Sequence, residues 1–220
     1  YYDDQIFACR DHLGVKPLYY YLKENDLIIA SEIKAILMYL GKCVVDKTGI
    51  KELLGLGPSL SPGKTLYKDI SSLRPAHYLF YDGNDCIIDR YWGLQKKTHL
   101  KSYEETVQDV RYLVNQSIQR QLLSDVPISC MLSGGLDSSI ITALSSQYVN
   151  NISTYSIDYL DQEKYFKPYD YQLTRDSDYI DEMVERYHSH HNNVVLSQKN
   201  LIIFLKQSMI ARDAPGMADI

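Results

Sequence analysis

Residues 133–139 have the sequence Ser133-Gly134-Gly135-Leu136-Asp137-Ser138-Ser139. They follow an apolar run over residues 126–132, which predicts a β-strand, and they precede residues 140–144, which predict a helix. Glycine lets the backbone approach an anion closely, and a helix N-terminus directs free N–H groups and partial positive charge toward it. The pattern therefore predicts a phosphate-binding loop between a strand and a helix.

The side chains of this loop suit a polyphosphate ligand. Ser133 and Ser138 can donate hydroxyl hydrogen bonds to phosphate oxygens, and Gly134 and Gly135 expose their N–H groups. The Asp137 carboxylate suits a polyphosphate only if Mg²⁺ lies between them. A Walker loop is excluded because its lysine is absent. The loop resembles the SGGxDS signature of the PP-loop, with which enzymes that split ATP into AMP and pyrophosphate bind pyrophosphate.

Composition limits the classes of protein that are possible. The chain has 220 residues with 45% hydrophobic and 23% charged residues, as in ordinary globular proteins, so one or two domains are expected. Its net charge of -5 disfavours a nucleic-acid partner, and its apolar runs are too short to span a membrane. The four cysteines have no CxxC spacing, and no signal peptide is visible, which favours a cytoplasmic protein with reduced thiols. Without an initiator methionine, the chain is expected to be an internal fragment.

The first 92 residues are predicted to be rich in β-structure. Asp82-Gly83-Asn84-Asp85 predicts a hairpin turn, Ser31 is the expected N-cap of the first helix, and Gly41 is its expected end. Strands are predicted over residues 5–9, 18–22, 27–30, 77–81 and 86–91, and helices over 33–40 and 47–56.

The remaining chain is predicted to alternate helices and strands. Ser102 and Glu105 form an expected capping box at the start of an amphipathic helix of about 20 residues. Further strands are predicted over 126–132, 152–159 and 193–196, with helices from the phosphate loop to about 148, over 178–187 and over 200–212. Such alternation predicts a parallel sheet.

Several other residues are interpreted as structural. Cys9 is expected to be a core thiol. His188, His190 and His191 are expected to form a solvated helix end, since they lack the spacing of a zinc site. Asp213 and Asp219 are expected to be surface carboxylates, and residues 161–171 are expected to form a mobile loop beside the ATP site.

Two blocks of sequence together resemble glutamine-dependent asparagine synthetases. The first is Cys-Arg-Asp-His-Leu-Gly-Val-Lys-Pro-Leu-Tyr-Tyr at 9–20 with Ala-Ser-Glu-Ile-Lys-Ala-Ile-Leu at 30–37, closed by residues 73–78 and 90–92. The second runs from Ser-Asp-Val-Pro at 124–127 through the phosphate loop. Their order and spacing fit this family over nearly the whole chain.

The resemblance implies a two-site ligase. Residues 1–95 would be the C-terminal part of a type 2 glutamine amidotransferase domain, an Ntn-type β-sandwich that releases ammonia from glutamine. Residues 100–220 would begin a Rossmann-like PP-loop domain with the adenine nucleotide alpha hydrolase-like parallel sheet, which adenylates aspartate with Mg-ATP. Ammonia would pass through a tunnel and displace AMP, which gives asparagine. Family members are often dimers, so a homodimer is a further expectation.

The resemblance also assigns residues. It places the backbone of Leu132 and Ile157 at adenine, the phosphate loop at pyrophosphate and Asp137 on Mg²⁺, and it leaves the role of Asp158 open. The expected catalytic residues lie outside the 220 residues. The implied ATP-binding residues are Leu132, Ser133, Gly134, Gly135, Asp137, Ser138, Ser139 and Ile157.

Residues 212–219 depart from the family pattern. Where the family more usually has Asp-Glu-Pro, this chain has Asp-Ala-Pro-Gly-Met-Ala. The resemblance implies that the binding site for the amino-acid acceptor begins at this segment. This departure keeps open a PP-loop amidotransferase that acts on another carboxylate acceptor. A non-catalytic homologue with a decayed glutaminase half is a further alternative.

Overall fold

The computed structural model describes residues 5–57, 59–168 and 174–216. It divides into two compact units, one of residues 1–97 with 203–220 and the other of residues 98–202. The described residues form a mixed α/β fold with three three-stranded sheets. No helix within these ranges is both long and apolar enough to cross a bilayer.

The first unit contains two antiparallel sheets, with strand orders β1-β5-β6 and β3-β2-β4. Its strands are β1 (Ile6–Cys9), β2 (Tyr19–Lys23), β3 (Asp26–Ala30), β4 (Ile70–Ser72), β5 (His77–Tyr81) and β6 (Cys86–Arg90), and its first two helices are α1 (Ile33–Leu40) and α2 (Lys47–Leu56).

The core of this unit follows from the alternation of side chains along β2. Tyr20 and Leu22 pack into a cluster with Leu79 and Tyr81 of β5, so this cluster draws side chains from both sheets. Tyr19 and Tyr21 point to the opposite face, as a period of two requires, and pack against Ile33, Ile36 and Ile70. The β3-β2-β4 sheet therefore has the second sheet on one face and α1 on the other.

The predicted helices of the first unit are confirmed, but two local predictions are wrong. Gly41 ends α1 in the left-handed region at φ 61°, as expected. Ser31 is not the N-cap, because α1 starts one residue later, after Glu32, and Glu32 makes no side-chain capping bond. Cys9 is exposed rather than buried, because its side chain points away from the core cluster.

The second unit is built around the parallel sheet β7-β8-β9, which confirms the predicted parallel strands. The helix α3 begins with the predicted capping box of Ser102 and Glu105. The elements are α3 (Tyr103–Gln121), β7 (Ser129–Met131), α4 (Leu136–Ser145), β8 (Ser153–Tyr159), α5 (Gln162–Tyr165), α6 (Asp176–Tyr187) and β9 (His190–Leu196), followed by α7 (Gln198–Arg212), which extends into the first unit.

Two further interpretations are corrected. The helix end is His188, at φ 50°, whereas His190 and His191 lie in β9, where His191 is partly buried. Asp213 is no surface carboxylate, since only 7% of its side chain is exposed. The expected loop over 161–171 contains the short helix α5, while its residues 169–171 lie outside the described residues, as does Asp219.

Candidate functional site

The candidate site begins where β7 ends. Leu132 is only 1% exposed, and its N–H donates to the Tyr155 carbonyl of β8 at 2.8 Å. The chain then turns through Ser133–Ser139, and α4 begins at Leu136 with Gly135 as its N-cap. The predicted order of strand, glycine turn and helix is therefore present, at the carboxyl edge of a parallel sheet, where α/β folds bind ligands.

Two serines of the loop converge. The Ser133 and Ser138 hydroxyls lie 3.1 Å apart, and the Ser138 hydroxyl also accepts from the Ser133 N–H at 3.2 Å and donates to the Gly135 carbonyl at 3.1 Å. Ser138 thereby ties the loop to the first turn of α4. Hydroxyls this close can both reach one phosphate oxygen.

Gly134 is required by its surroundings. Its φ is +76°, which is unfavourable for residues with a side chain. A Cβ atom at this position would lie 2.6 Å from the Asp176 carbonyl oxygen. The first residue of α6 therefore sits against the loop, and only glycine permits this approach.

The start of α4 is arranged to accept an anion. Its N-cap, Gly135, provides no side-chain hydrogen bond, so the N–H groups of the first turn have no side-chain cap. Asp137 lies exposed in that turn, and no described residue forms a hydrogen bond or an ion pair with its carboxylate. The described residues contain no group of three or more potential metal ligands. One free carboxylate suits Mg²⁺ nonetheless, because this ion takes most of its ligands from phosphates and water.

Ile157 lies on the strand next to the loop. The parallel register pairs Met131 with Tyr155, so Leu132 and Ile157 lie near the same edge of the sheet. Ile157 is 54% exposed, whereas Leu132 is buried. The Asp158 carboxylate accepts from the Tyr159 N–H at 2.7 Å, a local contact with its own strand.

A polar network joins β8 and β9 and was not predicted. His191 contacts the Thr154 hydroxyl through Nδ1 at 3.0 Å and the Ser156 hydroxyl through Nε2 at 3.1 Å. The Ser156 hydroxyl donates its proton to Asn193 Oδ1 at 3.1 Å, so the Ser156 oxygen accepts from the Nε2–H group of His191. The other ring nitrogen of His191, Nδ1, then carries a lone pair that accepts from the Thr154 hydroxyl. Burial lowers the pKa of His191, against a smaller opposing effect of Asp181. Thr154 and Ser156, two residues apart on β8, are the local signal of this network.

A second cluster of polar contacts was also missed. Asp213 contacts Lys34 and Tyr67, which lie 179 and 146 residues earlier in the chain. Local patterns cannot reveal contacts at such separations. All three residues belong to the first unit.

Comparison with protein families gives two matches that divide the chain. The model of the glutamine amidotransferase domain matches residues 2–92. The model of asparagine synthase matches residues 109–220, which include the whole phosphate loop.

Curated proteins of similar sequence point the same way. Glutamine-hydrolysing asparagine synthetase 3 of Bacillus subtilis is 42% identical over 98% of this chain and 36% of its own length. A putative glutamine-hydrolysing asparagine synthetase 2 of Methanocaldococcus jannaschii is 30% identical over 83% of this chain and 38% of its own length. The amidase chyE of Penicillium rubens is 31% identical over 63% of this chain and 21% of its own length. The chain thus spans between about a fifth and two-fifths of these relatives.

Proposed function

Because this chain belongs to the asparagine synthase family, we propose that the protein makes asparagine from aspartate, with ATP as the energy source and glutamine as the source of ammonia. The observation that carries this proposal is the loop Ser133–Ser139, in which two hydroxyls, a glycine turn and an uncapped helix start converge. The two family matches support an amidotransferase domain over about 1–95 and a synthetase domain over about 100–220.

We infer the finer folds from the same matches. The two antiparallel sheets that share a core in the first unit support an Ntn-type sandwich. The parallel sheet with a loop and helix after β7 supports a Rossmann-like PP-loop domain. The protein is proposed to work in the cytoplasm as a homodimer, with neither a nucleic acid nor a membrane as partner.

The proposed reaction has two steps. A side-chain carboxylate oxygen of aspartate attacks the α-phosphorus of ATP, and the bond to the β-phosphate oxygen breaks, which releases pyrophosphate. Ammonia then attacks the acyl carbon of β-aspartyl-AMP, loses a proton and displaces AMP. A carboxylate is a poor electrophile, and the acyl-adenylate makes this second step feasible.

The loop residues have defined roles in this proposal. The hydroxyls of Ser133, Ser138 and Ser139 and the N–H groups of Gly134 and Gly135 bind the departing pyrophosphate, whose charge the start of α4 favours. The backbone of Leu132 and Ile157 contacts adenine. Asp137 would hold Mg²⁺, which would neutralise phosphate charge.

The test uses the full-length protein with Mg-ATP, glutamine and aspartate that carries ¹⁸O in its side-chain carboxylate. The expected result is equal amounts of AMP, pyrophosphate and asparagine, with one ¹⁸O in AMP. AMP that forms only with another carboxylate would leave the PP-loop chemistry intact and replace the acceptor. Formation of ADP, or no nucleotide cleavage with any acceptor, would contradict the proposal.

Two serine-to-alanine variants test whether pyrophosphate forms at the phosphate loop. Ser138→Ala should lower the rate of pyrophosphate formation about 10- to 100-fold, as expected for one hydrogen bond to a charged group. Ser146→Ala, at the other end of α4, removes a hydroxyl that donates only to the Ala143 carbonyl and should leave the rate unchanged. Equal rates for both variants would remove Ser138 from the proposed site.

A further inference from the structure

The buried carboxylate of Asp213 binds two groups of a single residue. Its Oδ2 accepts from the Lys34 backbone N–H at 3.0 Å, and its Oδ1 lies 3.4 Å from Lys34 Nζ. Its own carbonyl accepts from the Tyr67 hydroxyl at 2.6 Å. The side chain of Asp213 is therefore held by Lys34, and its backbone carbonyl by Tyr67.

Asp213 supplies the cap that α1 lacks. The first N–H groups of a helix have no partner within it, and neither Ser31 nor Glu32 forms a side-chain capping bond at this helix. The first turn of α1 also contains no acidic residue. A carboxylate at this end is favoured by both the free N–H groups and the helix dipole.

Lys34 in turn caps the C-terminal end of α7. Its Nζ donates to the Ala211 carbonyl at 2.9 Å, in the last turn of α7, where free carbonyls favour a cation. The start of α1 is thus capped by Asp213, and the end of α7 by Lys34. We call these contacts of Lys34 and Asp213 the reciprocal cap.

The reciprocal cap joins segments that match different families. Lys34 and Tyr67 lie in the stretch matched by the amidotransferase model, and Asp213 lies in the stretch matched by the asparagine synthase model. Residues 203–220 nevertheless belong to the first unit. The resemblance to this family also implies that the acceptor site begins within residues 212–219.

We propose that Asp213 is a positioning residue that fixes the segment after α7 on helix α1, so that ammonia from the amidotransferase part reaches the acyl-adenylate. This inference rests on the proposed function. Asp213 contacts neither substrate nor reacting atoms in this role. Its loss should uncouple the two half-reactions while each of them continues.

The experiment compares Asp213→Ala and Asp213→Asn with the wild type, all as full-length proteins. Glutamate and asparagine are measured with glutamine as the nitrogen source, and asparagine is measured again with ammonium. In Asp213→Ala the ratio of glutamate to asparagine should rise about fivefold or more, at the lower end of coupling between sites, while ammonium-dependent synthesis falls less than glutamine-dependent synthesis. Asp213→Asn keeps an acceptor for the Lys34 N–H, so it should give a smaller rise and serves if the alanine variant does not fold.

Glu32→Gln is the matched control. It removes the exposed ion pair of Glu32 with the same lysine, at 2.9 Å, and leaves Asp213 in place, so the ratio should not change. Hydrogen exchange of the Lys34 amide should become faster in Asp213→Ala but not in Glu32→Gln.

The outcomes separate the two proposals. An unchanged ratio in both Asp213 variants, or an equal fall in glutamine- and ammonium-dependent synthesis, would overturn the positioning role. A wild type that makes asparagine from neither glutamine nor ammonium would overturn the proposed function, and the positioning role with it.

Discussion

Gly134 is the residue of the phosphate loop that should tolerate a side chain least. In Gly134→Ala, the new Cβ would lie 2.6 Å from the Asp176 carbonyl oxygen, and the backbone would remain at φ +76°. We expect the free energy of unfolding to fall by about 2 kcal/mol or more, because left-handed backbone and a backbone clash both oppose the native state. Urea unfolding of the full-length protein measures this loss.

Gly135→Ala is the control for this prediction. Gly135 has a φ of -71°, and its Cβ would lie 3.5 Å from Ser133 Oγ, an ordinary contact. The free energy of unfolding should therefore change by about 1 kcal/mol or less. Equal losses in the two variants would show that the approach of α6 to the loop does not constrain Gly134.

His191 should make stability depend on pH. Its folded-state pKa is lowered by burial from the ordinary value of 6.5, so the unfolded state binds the proton more readily. The contribution to stability is therefore full above about pH 6.5 and is lost as the pH falls toward the folded-state pKa. An NMR titration of the His191 ring should give a pKa below 6.5, and the urea midpoint should fall between about pH 7.5 and pH 5.

The variant His191→Gln separates this effect from other titrating groups. Its amide can still donate to Ser156, but it does not titrate. The fall in the urea midpoint at acidic pH should be smaller in this variant than in the wild type. The same pH dependence in both proteins would contradict the assignment to His191.

At the scale of secondary structure elements, the first two helices differ in how they are capped. The Asp46 carboxylate accepts from the Thr48 and Gly49 N–H groups at the start of α2. Asp46→Ala should lower the free energy of unfolding by about 1 kcal/mol, the usual cost of a lost N-cap. Ser31→Ala should change it by less than about 0.5 kcal/mol, since Ser31 is exposed and caps nothing. Thermal unfolding of both variants tests this, and a larger loss for Ser31→Ala would restore the N-cap predicted from the sequence.

The sequence predicts most elements because their signals are local. The boundaries of α1 and α2 are predicted to the residue, and the phosphate loop is found from its glycines and flanking apolar runs. The strand β4 was missed because it has only three residues, Ile70–Ser72, and is defined by pairing with β2. The start of β9 was missed because His190 and His191 are polar, and only the partners of His191 on β8 show why β9 includes them.

At the scale of the whole molecule, the contacts that the sequence could not predict join distant residues. Asp213 was expected at the surface because a lone carboxylate usually lies there, and its burial depends on Lys34 and Tyr67. The approach of Asp176 to Gly134 likewise depends on where α6 begins. Motif and family could be predicted from the sequence, whereas the contacts that position the motif required the fold.

The surface of the described chain predicts how these 220 residues behave on their own. Large apolar side chains lie exposed on one face of the β1-β5-β6 sheet, with Phe7 at 61% and Ile87 at 53%, and on one face of the parallel sheet, with Met131 at 64% and Ile157 at 54%. Exposed apolar faces of this kind bind hydrophobic dyes and promote self-association.

We therefore expect the 220-residue polypeptide to enhance ANS fluorescence and to self-associate, in contrast to the full-length protein at the same concentration. It should also neither hydrolyse glutamine nor form pyrophosphate from ATP, since the relatives that it matches are more than twice its length. Size-exclusion chromatography, dye titration and assays of both half-reactions test this directly. Glutamine hydrolysis by the purified 220 residues would show that they contain a complete glutaminase site, and a monomer that does not bind the dye would show that the exposed sheet faces are stable in water.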